Sequence, residues 1–145
     1  MATPGEAPLP PSRVPWDTAY TVGQAELDDQ HHELLTLCDR LADLCTPAGA
    51  AADTAAFDAA YRQLQARVRE HLEAEAALLA DRDAAALERL RDEFDEFEDL
   101  VADIVTTQHF DLLELQRFLS MWCLGHIAGT AAGLRALFAE AGPRG

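Results

Sequence analysis

Three observations predict an all-α protein, an antiparallel up-down-up-down four-helix bundle with an extended N-terminal arm. Four segments carry apolar residues at helical spacing, the stretches between them are short, and no segment alternates apolar and polar residues between turn signals as a half-buried strand would. The arm spans residues 1–24, the bundle 25–141, and a short tail 142–145.

The arm holds Pro4, Pro8, Pro10, Pro11 and Pro15, which forbid a helix interior and favour extended chain. Trp16, Tyr20 and Val22 can anchor its end on the bundle. The first helix begins near Glu26 and ends at Cys45, before Pro47, with Leu27, His31, Leu34, Leu35, Cys38, Leu41, Ala42 and Cys45 on its apolar face. The second runs from about Asp53 to Ala80, facing inward through Phe57, Tyr61, Leu64, Val68, His71, Glu75 and Leu78. Asp81–Asp83 makes a tight connection. The third runs from about Ala84 to Thr106, with Leu87, Leu90, Phe94, Phe97, Val101 and Ile104 inward. The fourth starts at Asp111, three residues before Glu114 as in a capping box with Asp in place of Ser or Thr, and stops at Gly142–Pro143.

Composition excludes several classes. The chain has 145 residues, enough for one domain with a substantial core. Its formal charge is −15 and all 11 basic residues are arginine. Such a surface repels phosphate backbones and anionic lipid, which argues against nucleic-acid and membrane partners. No run is long enough to span a bilayer, and the N-terminus lacks the basic start and apolar core of a secretory signal. Three cysteines without CxxC spacing fit reduced thiols and a cytoplasmic location.

The polar residues on the apolar faces are the functional signal. His71 and Glu75 are four apart, so they stand one above the other on the face that carries Leu64 and Val68. Burying them unpaired costs free energy. A divalent ion satisfies both, and so does an ordinary His–Glu hydrogen bond in the core. His31 on the first helix and His126 on the fourth add two imidazoles. At about 1.5 Å rise per residue, His31 lies roughly 8 Å, Glu75 roughly 9 Å and His71 roughly 15 Å from the shared end of the bundle. His126 reaches that depth only if the fourth helix extends past the bundle, beyond about Gly133. A diiron carboxylate site of the ferritin type needs two Glu-x-x-His motifs. The residues three before His31, His71 and His126 are Asp28, Val68 and Cys123, so that site is excluded.

Taken in order and spacing, these residues resemble a hemerythrin, specifically a bacterial hemerythrin-like domain, from Trp16 to Leu134. Trp16, Tyr20, Val22–Gly23 and Leu27–His31 (LDDQH) resemble the family's arm and first-helix signature. His71–Glu75 (HLEAE) resembles its HxxxE. Phe118–Leu119, Trp122, His126–Ile127 and Gly129–Thr130 resemble its last-helix signature. The resemblance implies a four-helix bundle around a non-heme diiron centre that binds dioxygen reversibly, held by five His, one Glu and one Asp. His31, His71, Glu75 and His126 occupy ligand positions. The third-helix HxxxH falls on Leu90 and Phe94, and the bridging Asp on Ala131.

By that pattern His31 and His71 belong to one iron, Glu75 bridges, and His126 belongs to a second iron that has lost its other ligands. Leu90, Phe94 and Ala131 are expected to line the layer with hydrocarbon. The carboxylates Asp92, Glu93, Asp95 and Glu96 are nearby, each rotated off the inward line. One ion is therefore expected rather than two. Two His and a carboxylate suit Fe(II), and with His126 added the set also suits Zn(II) or Mn(II). Cys123, one turn before His126, is either a thiol beside the ion or a small buried core residue. Cys38 and Cys45 belong to the core, His32 points into solvent, and His109 sits in a loop.

Three functions follow. The chain is a metal-binding module that carries or senses dioxygen or a related small ligand, a mononuclear iron enzyme acting on dioxygen or peroxide, or a metal-free bundle retained as an interaction domain. A bis-His heme bundle is a remote fourth, since the chain has no CxxCH.

Overall fold

A computed structural model describes residues 11–45, 54–106 and 111–140. A single turn of 3₁₀ helix at Thr18–Tyr20 precedes four helices, α1 (Ala25–Leu44), α2 (Thr54–Leu79), α3 (Ala84–Thr106) and α4 (Leu112–Glu140). No strand occurs among the described residues. Helices adjacent in sequence pack against one another, and α1 packs against α4, which closes the four-cornered antiparallel bundle. The helix boundaries fall within about two residues of those expected from periodicity. His109, the Gly142–Pro143 stop and the first three prolines lie outside the described residues.

The helix starts show their causes. The side-chain oxygen of Gln24 accepts from the Leu27 amide at 2.7 Å. Asp83 accepts from the Ala86 amide at 2.9 Å, and Asp111 from the Leu113 amide at 2.8 Å. Each satisfies an amide that has no partner within its own helix.

Leu27, Leu34 and Leu41 of α1, Leu64 and Val68 of α2, and Leu115, Leu119 and Ile127 of α4 are buried and form one contiguous core. Each such side chain contributes about 1.5–3 kcal/mol on burial. On α2 the inward line runs through Leu79, which is buried, while Leu78 is half-buried. Helix α3 is the least anchored. Only Leu90, Phe97 and Val101 of its 23 residues are buried, against eight of 20 in α1. Leu87, Phe94 and Ile104 sit at its half-buried flanks.

The arm is fastened by polar contacts as well as by Val14 and Val22. Gln116, fully buried on α4, accepts from the Ser12 amide at 2.8 Å and donates to the Ser12 carbonyl at 2.7 Å and the Cys38 carbonyl at 3.1 Å. Asp28 accepts from the Val22 amide at 2.8 Å, closing the turn at Gly23, whose φ of +89° suits a residue without Cβ. The Trp16 ring stacks on His32 with centroids 3.5 Å apart, so the exposed imidazole is covered on one side by the arm. No described helix is long and apolar enough to cross a membrane.

Candidate metal centre

Helix α4 is the longest of the four and overruns its neighbours, with Arg135 on the overhang donating to the carbonyls of Ala19 and Thr21. This overrun brings His126 down to the level of His31, His71 and Glu75. The four side chains are buried, and one donor atom from each lies within 4.8 Å of all the others.

The spacing is that of ligands around one point. His31 Nε2 and His71 Nε2 are 3.0 Å apart, His71 Nε2 and His126 Nε2 3.2 Å, and Glu75 Oε2 lies 3.1 Å from His71 Nε2 and 3.0 Å from His126 Nε2. Ligands held about 2.0–2.2 Å from a common ion are separated by roughly 3.0–3.5 Å at neighbouring vertices of an octahedron or tetrahedron. Three imidazole nitrogens and one carboxylate oxygen at these separations fit a first-row divalent ion. His31 Nδ1 is buried without a hydrogen-bond partner.

The far ring nitrogens show how two of the imidazoles are held. His71 Nδ1 lies 2.8 Å from Gln30 Oε1, and His126 Nδ1 lies 2.8 Å from Glu93 Oε1. An acceptor at Nδ1 places the proton there and turns the Nε2 lone pair toward the cluster, the arrangement in which a histidine coordinates. Trp122 lies parallel to the His126 ring at 5.4 Å, limiting its rotation.

Without an ion the cluster is electrostatically divided. Burial, then repulsion from His71 and His126, pulls His31 down to about 3. Burial likewise lowers His71, against the opposing pull of the Glu75 carboxylate beside it. Burial works against the charged form of His126 too, but its hydrogen bonds to Glu75 and Glu93 prevail and raise it to about 9. Glu75, which burial alone would raise, is held at about 2 chiefly by the hydrogen bond from His126. The metal-free cluster is therefore a His126 cation between two carboxylates beside two neutral imidazoles. Binding an ion requires His126 to give up the proton on Nε2.

The residues expected to line this layer divide. Leu90 borders a cavity together with Glu75, Glu93 and His126. Ala131 is buried on α4. Phe94 is a correction. It lines a separate cavity between α2 and α3, with Tyr61, Arg69 and Phe97, while Glu93 reaches the ligands. The reason is geometric. Leu90 and Phe97 set the inward line of α3, and at about 100° per residue positions 93 and 94 lie roughly 50° to either side of it. Glu93 therefore leans toward α4 and Phe94 toward α2. Cys123 is fully buried, and its thiol pairs with that of Cys38 across the α1–α4 contact. That hydrogen bond and burial push the Cys123 thiol well above its ordinary value, which makes it a core residue rather than a reactive thiolate.

The ordered donor set now has a family to answer to. Residues 22–137 match the Hemerythrin HHE cation binding domain. The chain belongs to the hemerythrin family. Comparison with curated proteins and with solved structures yields no match. The four buried donors could hold a metal ion, in keeping with a cation-binding domain of this family. Gln30, Glu93 and Trp122 are the supporting residues of this cluster. Sequence reading gave Gln30 and Trp122 no part in holding the ligands and set Glu93 aside. The signal that could have found Glu93 is its three-residue spacing from Leu90, which places both on one side of α3.

Proposed function

We propose that this hemerythrin-family chain binds one non-heme metal ion through His31, His71, Glu75 and His126, iron first and zinc or manganese next, and that the site carries or senses dioxygen or a related small ligand. The observation that carries the reading is the mutual approach of four buried donors from three helices to within 4.8 Å. Leu90 stands at a position where the family resemblance implies a second-ion ligand, and it offers hydrocarbon instead. An iron-class ion held by three imidazoles and a carboxylate supplies open coordination positions for a small ligand. The protein's part is to hold the Nε2 atoms inward through Gln30 and Glu93, to keep Glu75 ionised, and to exclude bulk water with the core around His31 and His71.

A second reading has its own support. The His126 cation, flanked by Glu75 at 3.0 Å and Glu93 at 2.8 Å, offsets the buried Glu75 charge with no ion at all. That would suit a metal-free bundle kept as an interaction domain. A mononuclear iron enzyme acting on dioxygen or peroxide uses the same ligands and differs in turnover.

The test is metal content of protein purified from iron-supplied cells, with its absorption spectrum. One iron-class ion per chain, without the strong visible bands of an oxo-bridged diiron centre, supports the proposal. Two irons would show that further ligands exist, with Glu93 the first to substitute. No ion under anaerobic iron excess would put the metal-free reading in its place. Consumption of dioxygen or peroxide with turnover would make the chain an enzyme.

A further inference from the structure

A cavity of about 480 Å³ opens directly beside the ligands, between α3 and the overrunning end of α4. Small-molecule sites occupy about 300–1,000 Å³, whereas a diatomic ligand needs a small fraction of that. Its floor is formed by Glu75, Glu93 and His126, and its walls by Leu79, Leu90, Leu134 and Leu137. Along α4 the lining residues include Gly125, Gly129 and Gly133. These are four apart and so share one face of the helix. A Cβ built on any of the three meets no atom within 4 Å. No close approach of a neighbouring chain segment therefore requires glycine here. What the three glycines do is leave the trough open over about two helical turns, at a cost in helix propensity.

The charges on the wall point to the occupant. Glu75 and Glu93 are committed to His126, and Asp83 caps α3. Besides His126, Arg89 is the one basic side chain among the described residues that line the cavity. No described residue engages its guanidinium in a hydrogen bond or ion pair, whereas Arg62, Arg67 and Arg69 are each paired with carboxylates. An uncommitted guanidinium beside a wall of Leu79, Leu90, Leu134 and Leu137 matches a carboxylate head on an apolar chain, since the fork geometry of arginine suits a carboxylate bidentately.

We propose that the cleft between α3 and α4 binds a linear aliphatic monocarboxylate of medium chain length, its head on Arg89 and its chain along the Gly125–Gly129–Gly133 face. The proposal extends the metal reading by placing an organic ligand next to the centre, and it rests on that reading only for what lies at the floor.

Octanoate and octanol are the probes, titrated by calorimetry and ligand-observed NMR into the full chain, once metal-loaded and once metal-free. Octanoate is expected to bind at least about tenfold more tightly than octanol, the scale of one charge-assisted bidentate contact. Arg89→Gln, at an exposed position where folding is not at risk, should bring octanoate down to the affinity of octanol. Gly129→Leu, which fills the trough and favours the helix, should abolish binding of both while leaving the helical circular dichroism intact. Equal binding of the two probes, no binding of either, or binding that ignores both substitutions would overturn the proposal. Octanoate binding that follows Arg89 and Gly129 in a chain that takes up no metal would uphold the cleft and remove the metal reading. Metal uptake without octanoate binding would do the reverse.

Discussion

Two side chains outside the ligand set decide how the imidazoles are presented. Glu93 accepts from His126 Nδ1 and Gln30 from His71 Nδ1, each at 2.8 Å. Loss of such an outer partner typically costs 10–100-fold in metal affinity. Glu93→Gln keeps an acceptor but removes its charge, so it should weaken affinity by about tenfold. Glu93→Leu should weaken it by up to about a hundredfold. Competition with a chromophoric chelator measures both, and unchanged affinity in Glu93→Leu would remove Glu93 from the site. Among the ligands, His71→Ala should abolish binding, because His71 is the one imidazole within 3.2 Å of all three other donors. The cluster had a plain signal in the chain, since imidazole and carboxylate at positions that helical spacing turns inward are anomalous without a partner. The supporting residues had a weaker one. Gln30 and Glu93 lie at half-buried flanks, where a polar residue is unremarkable until the facing helix is placed.

At the scale of the element, the four helices were legible because each carries a long apolar stripe, the fourth also a capping-box spacing at Asp111, and the boundaries needed no tertiary information. The rotation of α3 was not. A stripe read from Leu90 and Phe97 leaves positions 93 and 94 equally inward, and the packing of α2 and α4 on its two sides divides them. The depth of His126 was also undetermined, because the length of α4 does not say whether its end overruns the other three helices. The arm makes an element-scale prediction. Gln116 joins α4 to Ser12 and to the end of α1 through bonds of 2.7–3.1 Å. Gln116→Leu leaves the Ser12 amide and two carbonyls without that partner, at about 1–3 kcal/mol. Thermal unfolding should show a Tm lower by several degrees. Limited proteolysis should cut the arm first. A Tm within a degree of the parent would show that the arm contributes nothing to stability.

For the molecule as a whole, the divided cluster sets the pH dependence of the metal-free protein. Burial and then its imidazole neighbours keep His31 near 3, whereas an unfolded histidine titrates near 6.5. Between those values the unfolded chain binds a proton that the folded chain refuses, so stability falls as pH drops below about 6.5. Glu75, held at about 2 against an ordinary 4.5, adds a further loss below that value. His126 has the opposite sign. Its contribution is complete below about 6.5 and disappears as pH rises through about 9. Chemical denaturation across the pH range should therefore give a maximum close to pH 6.5 for the metal-free chain. Added metal should move the maximum upward, because the ion replaces the His126 proton and favours neutral imidazoles. A metal-free stability that stays flat from about pH 5 to 9 would contradict the division of charge.

The light anchoring of α3 has a kinetic corollary. A helix whose only fully buried side chains are Leu90, Phe97 and Val101 is the first to part from the bundle. When it does, Glu93 leaves His126 and the cavity loses a wall, while His31 and His71 stay enclosed by α1 and α2. Escape of an ion would then be timed by this partial opening, well ahead of global unfolding. Amides of α3 should exchange with deuterium faster than those of α1. The rate of metal release to excess chelator should reach a plateau set by that opening, independent of chelator concentration.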